Sequence, residues 1–397
     1  MATTARTATT TTGRAGVEAL VRQDAALLED DLREFIGSLP TKIGSLPTEG
    51  DLYGAALSRS LYAPVADALA SKVGQAALPP TPRAPGHGGP PLRPSIVYWA
   101  YRNYRGFPDE TDENGETGKT GHAPGTDATD LALIRRTAVA VRILLKAAVV
   151  LDDIQDGSDV RYGEPALHRT HGVPLALNAA SWLIMAALRH AADPAVVAGL
   201  VRAVGNGFTG QAGDMSTRTA RTRAELLAAP HGERVRFWES VAALKTGTLF
   251  WMPLDAAVAG LGVVEDERRT LDDAMRRLGL ASQLFNDLTD VVPELGGANT
   301  HEDFDGLSNR VFLELADSAR PSAQGEQLKA FVLGHPGLQR TLLELSSQAV
   351  ELKRSVKEDV HRVCRSARSA AYFDVTIERK GHLIDRLHET VRQRAGV

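Results

Sequence analysis

The sequence has a single cysteine and no long apolar run, and each of these scarcities excludes a class of protein. One residue of 397, Cys364, is a cysteine, so the chain has no internal disulfide and no cysteine-based metal site. No apolar run reaches the roughly 18 residues that a membrane-spanning helix needs. Acidic and basic residues nearly balance, at a net charge of −4, and without a basic stripe no nucleic-acid partner is predicted.

The composition also predicts the organisation of the chain. Residues 1–16 lack the apolar stretch of a secretory signal, and we expect a disordered tail there. Residues 17–397 are predicted to form one domain, with a mobile insertion near 105–127, where almost nothing is apolar. The low cysteine content suits a reducing cytoplasm, and the abundance of Ala, Arg and Gly suggests a bacterial source.

Apolar residues at three- and four-residue spacing are what the sequence does have. Four windows of helical length show this spacing, at residues 131–154, 175–192, 271–292 and 342–363. Alternating runs typical of strands are scarce. The sequence therefore predicts an all-α protein.

A cluster of carboxylates follows the apolar end of the first window. In Asp152-Asp153-Ile154-Gln155-Asp156, the outer aspartates are four residues apart and share a helix face, while Asp153 is rotated by about 100°. Like charges at this spacing need a cation between them, and hard oxygen ligands favour Mg²⁺. Arg161 follows and suits bidentate phosphate binding. The alternative is a solvated acidic helix end.

A second polar cluster lies in residues 283–290. Asn286, Asp290 and Glu294 recur every four residues and would form one stripe on a helix. Pro293 ends or kinks a helix, which makes Glu294 the weakest of the three candidates. If this helix faces the first cluster across a cavity, the two together would hold several Mg²⁺ ions around a diphosphate.

Four motifs in order resemble the all-trans polyprenyl diphosphate synthase family. Residues 152–172 resemble its first aspartate-rich motif, residues 210–214 (GQAGD) its GQxxD, residues 245–247 its KTG, and residues 283–290 its second aspartate-rich motif. The resemblance covers roughly residues 50–380. It implies the all-α class I terpenoid synthase fold, a helical bundle around a central cavity. It also implies a prenyl diphosphate substrate, three Mg²⁺ ions and a homodimer.

The resemblance assigns roles to residues of this chain. The implied metal ligands are Asp152, Asp153, Asp156, Asn286, Asp287, Asp290 and Glu294. The candidate diphosphate-binding residues are Arg161, Lys245 and Gln283, with Arg310 as a possible substitute for a lysine that the family has and this chain lacks. The implied cavity residues are Gln211, Asp214, Ala147, Ala148 and Phe285. Asp152, Asp156 and Lys245 are the candidate catalytic residues.

Side chains near the candidate site bear on the length of its substrate and on the stabilisation of a carbocation. The small Ala147 and Ala148 stand just before the first motif, where bulky residues form the pocket floor in the family, and they favour a substrate of twenty carbons or more. The rings of Phe250, Trp251 or Phe285 would stabilise carbocations, with ordinary core packing as the alternative.

The departures from the family concern the pocket for isopentenyl diphosphate, the second substrate of its elongating members. The family's GGKRLRP is GGPPLRP here, so Pro90-Pro91 replaces a lysine and an arginine. Tyr162 replaces the second arginine after the first motif, and Leu145 replaces a histidine. Each charged hydrogen bond contributes about 1.5–3 kcal/mol. Losing several weakens binding by orders of magnitude.

These departures favour a cyclising enzyme. Asn286 replaces the first aspartate of the second motif, as in the metal triad of terpene cyclases, and Gly306-Leu307 lacks the family's lysine. The hypothesis is Mg²⁺-dependent ionisation of an allylic prenyl diphosphate, such as geranylgeranyl diphosphate, with loss of pyrophosphate and cyclisation to a terpene. The alternatives are chain elongation with isopentenyl diphosphate, prenyl transfer to a non-isoprenoid acceptor, and a non-catalytic subunit.

Overall fold

The computed structural model describes residues 3–44, 51–70, 90–107, 126–161, 163–292, 306–316 and 326–396. These residues are helical almost throughout, which confirms the all-α prediction. Two short strands, β1 (Val160–Arg161) and β2 (Glu164–Pro165), pair antiparallel. Among the described helices, none is long and apolar enough to cross a membrane.

In chain order, the helices up to residue 191 are named as a first group and the later ones as a second group. The first group is α1 (Thr3–Gly37), α2 (Leu39–Gly44), α3 (Asp51–Ala70), α4 (Leu92–Arg105), α5 (Thr126–Gln155), α6 (Leu167–His171) and α7 (Val173–Ala191). The second group is α8 (Pro194–Ser216), α9 (Ala220–Ala228), α10 (His231–Ala242), α11 (Thr248–Gly260), α12 (Glu265–Thr289), α13 (Arg310–Leu315), α14 (Glu326–Leu333), α15 (Leu338–Val363) and α16 (Ala367–Ala395). A π-turn, Ala243–Gly247, joins α10 to α11.

All four windows of helical periodicity are helices in the structure. They lie in α5, α7, α12 and α15, and the bounds agree within about four residues except at the amino termini of α5 and α12, which begin earlier than predicted. The periodicity predicts these helices because each buries an apolar face against its neighbours.

Backbone packing divides the chain into two compact units. Unit 1 comprises Met1–Leu200, Pro253–Glu265 and Val363–Arg379, and unit 2 comprises Val201–Met252, Asp266–Arg362 and Lys380–Val397. Since each unit combines segments distant in sequence, the division does not follow a linker. The single domain predicted for residues 17–397 stays a prediction.

Unit 1 is built around α5, which packs most extensively against α7 and α4. Most of α5 between Leu133 and Leu151 is apolar and buried, as expected of a helix surrounded by others. The facing side of α7 is largely alanine, with Ala176, Ala180 and Ala187 fully buried. Small side chains let the two helices approach closely, and the end of α5 carries the first aspartate cluster.

The amino-terminal helix α1 corrects the prediction of a disordered tail at residues 1–16, because it begins at Thr3. Its buried apolar residues include Val17, Val21, Leu28 and Leu32. Buried Asp24 accepts hydrogen bonds from Arg102 Nη2 at 2.6 Å and Tyr372 Oη at 2.9 Å. A helix anchored in this way propagates cooperatively into the preceding turns, although the threonine-rich residues 3–12 have low intrinsic helix propensity.

The mobile insertion predicted near 105–127 falls largely outside the described residues. The helices that flank it are described, with α4 ending at Arg105 and α5 beginning at Thr126. The insertion therefore stays a prediction, and its helical boundaries agree with the structure.

Unit 2 has its own apolar core. Its buried side chains include Trp238, Leu284, Leu288, Phe312, Val332, Leu342, Leu345 and Leu387. These come from α10 and from α12 to α16. The buried residues of α12 recur every three or four positions and so form one face that enters this core. The opposite face of the helix carries polar side chains.

A close backbone approach holds α8 against the π-turn within unit 2. A Cβ atom on Gly210 would lie 2.4 Å from the backbone nitrogen of Lys245 and 2.7 Å from the carbonyl carbon of Leu244. Only glycine fits this distance without moving one of the two backbones. The glycine of the GQxxD-like motif therefore serves packing, and it sets where Lys245 lies.

We expect Gly210→Ala to lower the free energy of unfolding by about 1–3 kcal/mol, because overpacking separates α8 from the π-turn. Gly205→Ala in the same helix is the matched control, since a Cβ there would meet nothing within 4 Å. The control should be more stable by roughly 0.5–1 kcal/mol. Urea unfolding of both variants measures the difference, and equal stabilities would contradict the packing role.

Candidate active site

The first aspartate cluster lies at the carboxyl end of α5, in unit 1. Asp152 and Asp153 are in the last helical turn, and the backbone N–H of Asp156 donates to the Asp152 carbonyl at 2.8 Å. Gly157 then ends the helix with a φ of 66°, and Ser158 N donates to the Asp153 carbonyl at 2.9 Å. This glycine-terminated turn satisfies carbonyls of the last turn and directs the chain into β1.

Arg161 of β1 returns to the two leading aspartates. Its Nη2 donates to Asp152 Oδ2 at 2.7 Å and its Nε donates to Asp153 Oδ1 at 2.5 Å. Burial alone would lower the pKa of Arg161, but the charges of the two carboxylates and their hydrogen bonds outweigh it and raise the pKa. The geometry thus brings Asp152, Asp153 and Arg161 together, with one cation contacting both carboxylates.

The predicted floor residues lie on α5, one turn before the cluster. Ala147 is buried and Ala148 is partly buried. Leu145, which stands where the family has a histidine, is partly buried on the same helix.

Lys245 lies in the π-turn of unit 2, where it forms an ion pair with Asp214 of α8. The GQxxD-like and KTG-like motifs therefore contact each other through their charged residues. Asp214 and Gln211 are buried, and π-turns inside helices are frequent at functional sites. The structure brings Lys245 and Asp214 together as expected of one site.

The second cluster divides between the two faces of α12. Asn286 is exposed and Asp290 is partly buried, whereas only 3% of Asp287 is exposed. Asp290 Oδ2 accepts a hydrogen bond from Asn309 Nδ2 at 3.0 Å. Asn286 and Asp290 are thus placed on one stripe, as predicted, and Asp287 points into the core.

Both oxygens of Asp287 are occupied by donors of the protein. Oδ2 accepts from Trp238 Nε1 and from the backbone N–H of Arg310, both at 2.8 Å, and Oδ1 accepts from Gln283 Nε2 at 2.7 Å. Burial raises the pKa of Asp287 to about 7, against the opposing effect of these three donors. Its predicted role as a metal ligand stays untested, but its surroundings are those of a structural carboxylate.

Gln283 and Arg310, predicted to bind diphosphate, also have partners inside unit 2. Gln283 Oε1 accepts from Thr246 Oγ1 at 2.5 Å. Arg310 pairs with Glu314 through Nε and Nη2, and its guanidinium lies 5.5 Å from the centroid of the Trp238 ring. Its Nη1 is buried and has no hydrogen-bond partner among the described residues.

The aromatic candidates are packed into the protein. Phe250 and Trp251 are buried, and Phe285 is partly buried against the core of unit 2. The Arg276 guanidinium lies 4.9 Å from the Trp251 ring centroid, so a cation of the protein already contacts that ring. Their packing agrees with the alternative of an ordinary core role.

Several predicted positions lie outside the described residues. These are Glu294 with Pro293, Tyr162, and the two glycines that precede Pro90. Within the described residues, no three His, Cys, Asp or Glu side chains are grouped so as to hold a metal ion.

Sequence reasoning missed Trp238, Thr246 as a hydrogen-bonding residue, and Asn309. Asn309 caps α13 by accepting a hydrogen bond from Val311 N at 2.8 Å, and an asparagine before a helical segment is a recognisable signal for this role. The indole of Trp238 carries no comparable signal, because its partner is distant in sequence.

The raised pKa of Asp287 predicts how stability depends on pH. Its folded pKa, about 7, exceeds the value of 3.8 for an exposed carboxyl, so protonation favours the folded state. This contribution is fully present below about pH 4 and is lost as the pH rises through about 7. Between those values the wild type should lose up to about 1.4 kcal/mol per pH unit relative to Asp287→Asn. Urea unfolding of both proteins without added metal measures this, and a difference that does not vary with pH would mean that the carboxylate stays ionised.

Comparison with known proteins agrees with this geometry. A model of the polyprenyl synthetase family matches residues 84–309, more than half of the chain. Fusoxypene synthase of Fusarium oxysporum is 27% identical over 247 residues, which are 60% of this chain and 31% of that protein. A prenyl transferase of Penicillium ochrochloron is 33% identical over 145 residues, 36% of this chain and 40% of that protein. The chain thus spans less than half the length of these two curated relatives. Both are fungal, which does not support the bacterial source suggested by composition.

A solved structure gives the fold. The decaprenyl diphosphate synthase of Rhodobacter capsulatus aligns with a TM-score of 0.63 and 16% identity, over 94% of this chain and 99% of that one. The protein therefore has the helical fold of isoprenoid synthases, as the resemblance implied. Matched by the family model over more than half of its length, the chain belongs to the polyprenyl synthetase family and is an enzyme of that family.

Proposed function

We propose that this enzyme ionises an allylic prenyl diphosphate, releases pyrophosphate and cyclises the hydrocarbon to a terpene. The observation that carries the proposal is the convergence of Asp152 and Asp153 on one cation at the end of α5. Such a site suits the diphosphate half of the reaction. Where the family binds a condensing substrate, Pro90-Pro91 and Leu145 stand in place of a lysine, an arginine and a histidine, and Arg93 remains.

A divalent metal, Mg²⁺ in this proposal, fits the donor set. Asp152 and Asp153 would hold such a hard cation, and the Arg161 guanidinium pairs with both carboxylates in the structure. Asp156 would join these ligands, and Asn286, Asp290 and Glu294 would supply the second set, for three ions in all. When bound, the metal neutralises charge on the departing pyrophosphate.

The protein's own cations would share this task. Arg161 in unit 1, and Lys245 and Arg310 in unit 2, are each proposed to bind diphosphate oxygens, because preorganised positive charge stabilises a leaving group better than water does. Lys245 would move from Asp214 to the diphosphate, and Arg310 offers its buried Nη1. Small residues at the floor, Ala147 and Ala148, favour geranylgeranyl diphosphate as the substrate.

A second candidate is prenyl transfer, either to isopentenyl diphosphate or to a non-isoprenoid acceptor. It is favoured by the name of the Penicillium ochrochloron relative, a prenyl transferase, and by a 49-residue stretch that is 41% identical to a geranylgeranyl pyrophosphate synthase of Mucor circinelloides. The replacements at Pro90-Pro91 and Leu145, where the family binds isopentenyl diphosphate, favour cyclisation over elongation.

We also propose that the enzyme is a homodimer. Helix α7 leaves Val173, Leu177 and Met185 exposed along one side, an apolar stripe that a second copy would cover.

Product analysis tests the reaction. We expect purified enzyme with Mg²⁺ to convert a twenty-carbon allylic diphosphate to a hydrocarbon and pyrophosphate without isopentenyl diphosphate, and Asp152→Ala to abolish pyrophosphate release. Asp159→Ala is the matched control, since Asp159 is exposed and pairs with Arg169 at the surface. Mass spectrometry of the products decides the outcome. A longer diphosphate formed only with isopentenyl diphosphate would establish elongation instead.

Metal binding tests the role of Arg161. Because Arg161 competes with a metal for Asp152 and Asp153, Arg161→Gln should bind Mn²⁺ roughly tenfold more tightly than the wild type when no diphosphate is present. With inorganic pyrophosphate present, the variant should bind it more weakly, having lost a diphosphate contact. Calorimetric titration measures both affinities, and Arg169→Gln should change neither. Unchanged Mn²⁺ affinity in Arg161→Gln would refute the competition.

A further inference from the structure

Asp287 is the centre of a buried network that reaches two of the cations in the proposed site. Its three donors come from three places in unit 2: Trp238 on α10, Gln283 on α12 and the backbone of Arg310 at the start of α13. A carboxylate with three protein donors and 3% exposure has little capacity left for a metal. The exposed neighbour Asn286 lies about 100° around the helix.

One branch of the network leads to the π-turn. Gln283 donates to Asp287 through Nε2 and accepts from Thr246 Oγ1 through Oε1, so its amide links the two side chains. Thr246 is buried and follows Lys245 directly. Because a π-turn lacks the regular hydrogen bonds of an α-helix, a side-chain anchor at Thr246 limits where Lys245 can lie.

The other branch leads to Arg310. Asp287 holds the backbone N–H of Arg310 and also the indole of Trp238, over which the Arg310 guanidinium lies. Asn309 adds further hydrogen bonds between the two segments. Its Nδ2 donates to the backbone carbonyl of Asp287 and to Asp290 Oδ2, both at 3.0 Å. The start of α13 is thereby fixed against the end of α12.

We propose that Asp287 is a positioning residue, and not a metal ligand, which sets Lys245 and Arg310 for diphosphate binding through these two branches. The inference rests on the proposed function for the role of those two cations. It differs from the role as a metal ligand that the resemblance implies for Asp287. Asp287 would act without touching the substrate.

A double-mutant cycle between Asp287→Asn and Thr246→Val tests the branch to Lys245, with inorganic pyrophosphate and saturating Mg²⁺ as the probe. Asparagine turns an NH₂ group toward donors, and valine removes the hydroxyl at nearly constant volume. Each single variant should weaken pyrophosphate binding about tenfold. Since both break one connection, the double variant should bind much like the weaker single variant, and not a hundredfold more weakly.

Three further variants separate positioning from other roles. Asn286→Ala, outside the network, should combine additively with Thr246→Val. Thr246→Ser, which keeps the hydroxyl, should restore binding, a rescue that a general packing defect would not give. If Asp287→Asn does not fold, Gln283→Leu breaks the same link and replaces it in the cycle.

The results that would overturn this inference differ from those that would overturn the proposed function. Additive losses in the Asp287 and Thr246 cycle, or wild-type protein that binds no pyrophosphate, would overturn the inference. So would Asp287→Asn weakening Mn²⁺ binding without pyrophosphate as much as Asn286→Ala does, because that result identifies a ligand. A wild type that binds pyrophosphate but forms no terpene defeats the proposed function and leaves the cycle readable.

Discussion

Compensation of buried negative charge is the constraint on which the candidate site depends. A carboxylate removed from water is costly unless a cation or several donors replace the lost solvation. The chain meets this requirement in two ways. Asp152, Asp153 and Asp214 are paired with Arg161 or Lys245, whereas Asp287 receives three uncharged donors. In the first way, a ligand can bind the arginine or lysine and displace it from the carboxylate. In the second way, the carboxylate side chain is fixed by its donors.

The two ways of compensation leave the carboxylates with different freedom to exchange partners. Carboxylates paired with a mobile cation remain available for exchange, since a diphosphate can take the cation and a metal can take the acid. A carboxylate surrounded by indole, amide and backbone donors has no such exchange partner, and it holds neighbouring segments in place. Asp287, on the buried face of α12, is of this second kind, and its neighbour in the chain, Asn286, is exposed.

Much of this could be predicted from the sequence, for identifiable reasons. Apolar periodicity predicted α5, α7, α12 and α15 because each buries one face or its whole surface. The stripe of Asn286 and Asp290 followed from helical geometry alone. The partners of Asp287 did not, since Trp238 and Arg310 approach it only through tertiary packing. The helix at residues 3–16 was missed because its support comes from later residues of α1.

The pairing of Arg161 with Asp152 and Asp153 has a consequence for how such a site can change over generations. The two aspartates and the arginine that pairs with them lie within one short segment, formed by the end of α5 and the strand β1. Changes elsewhere, such as the prolines at Pro90-Pro91 where the resembled motif has a lysine and an arginine, therefore leave no unpaired charge at these aspartates. Under the proposed function, an enzyme arranged in this way keeps its fold when its second substrate changes, and its descendants can direct the same carbocation to another product.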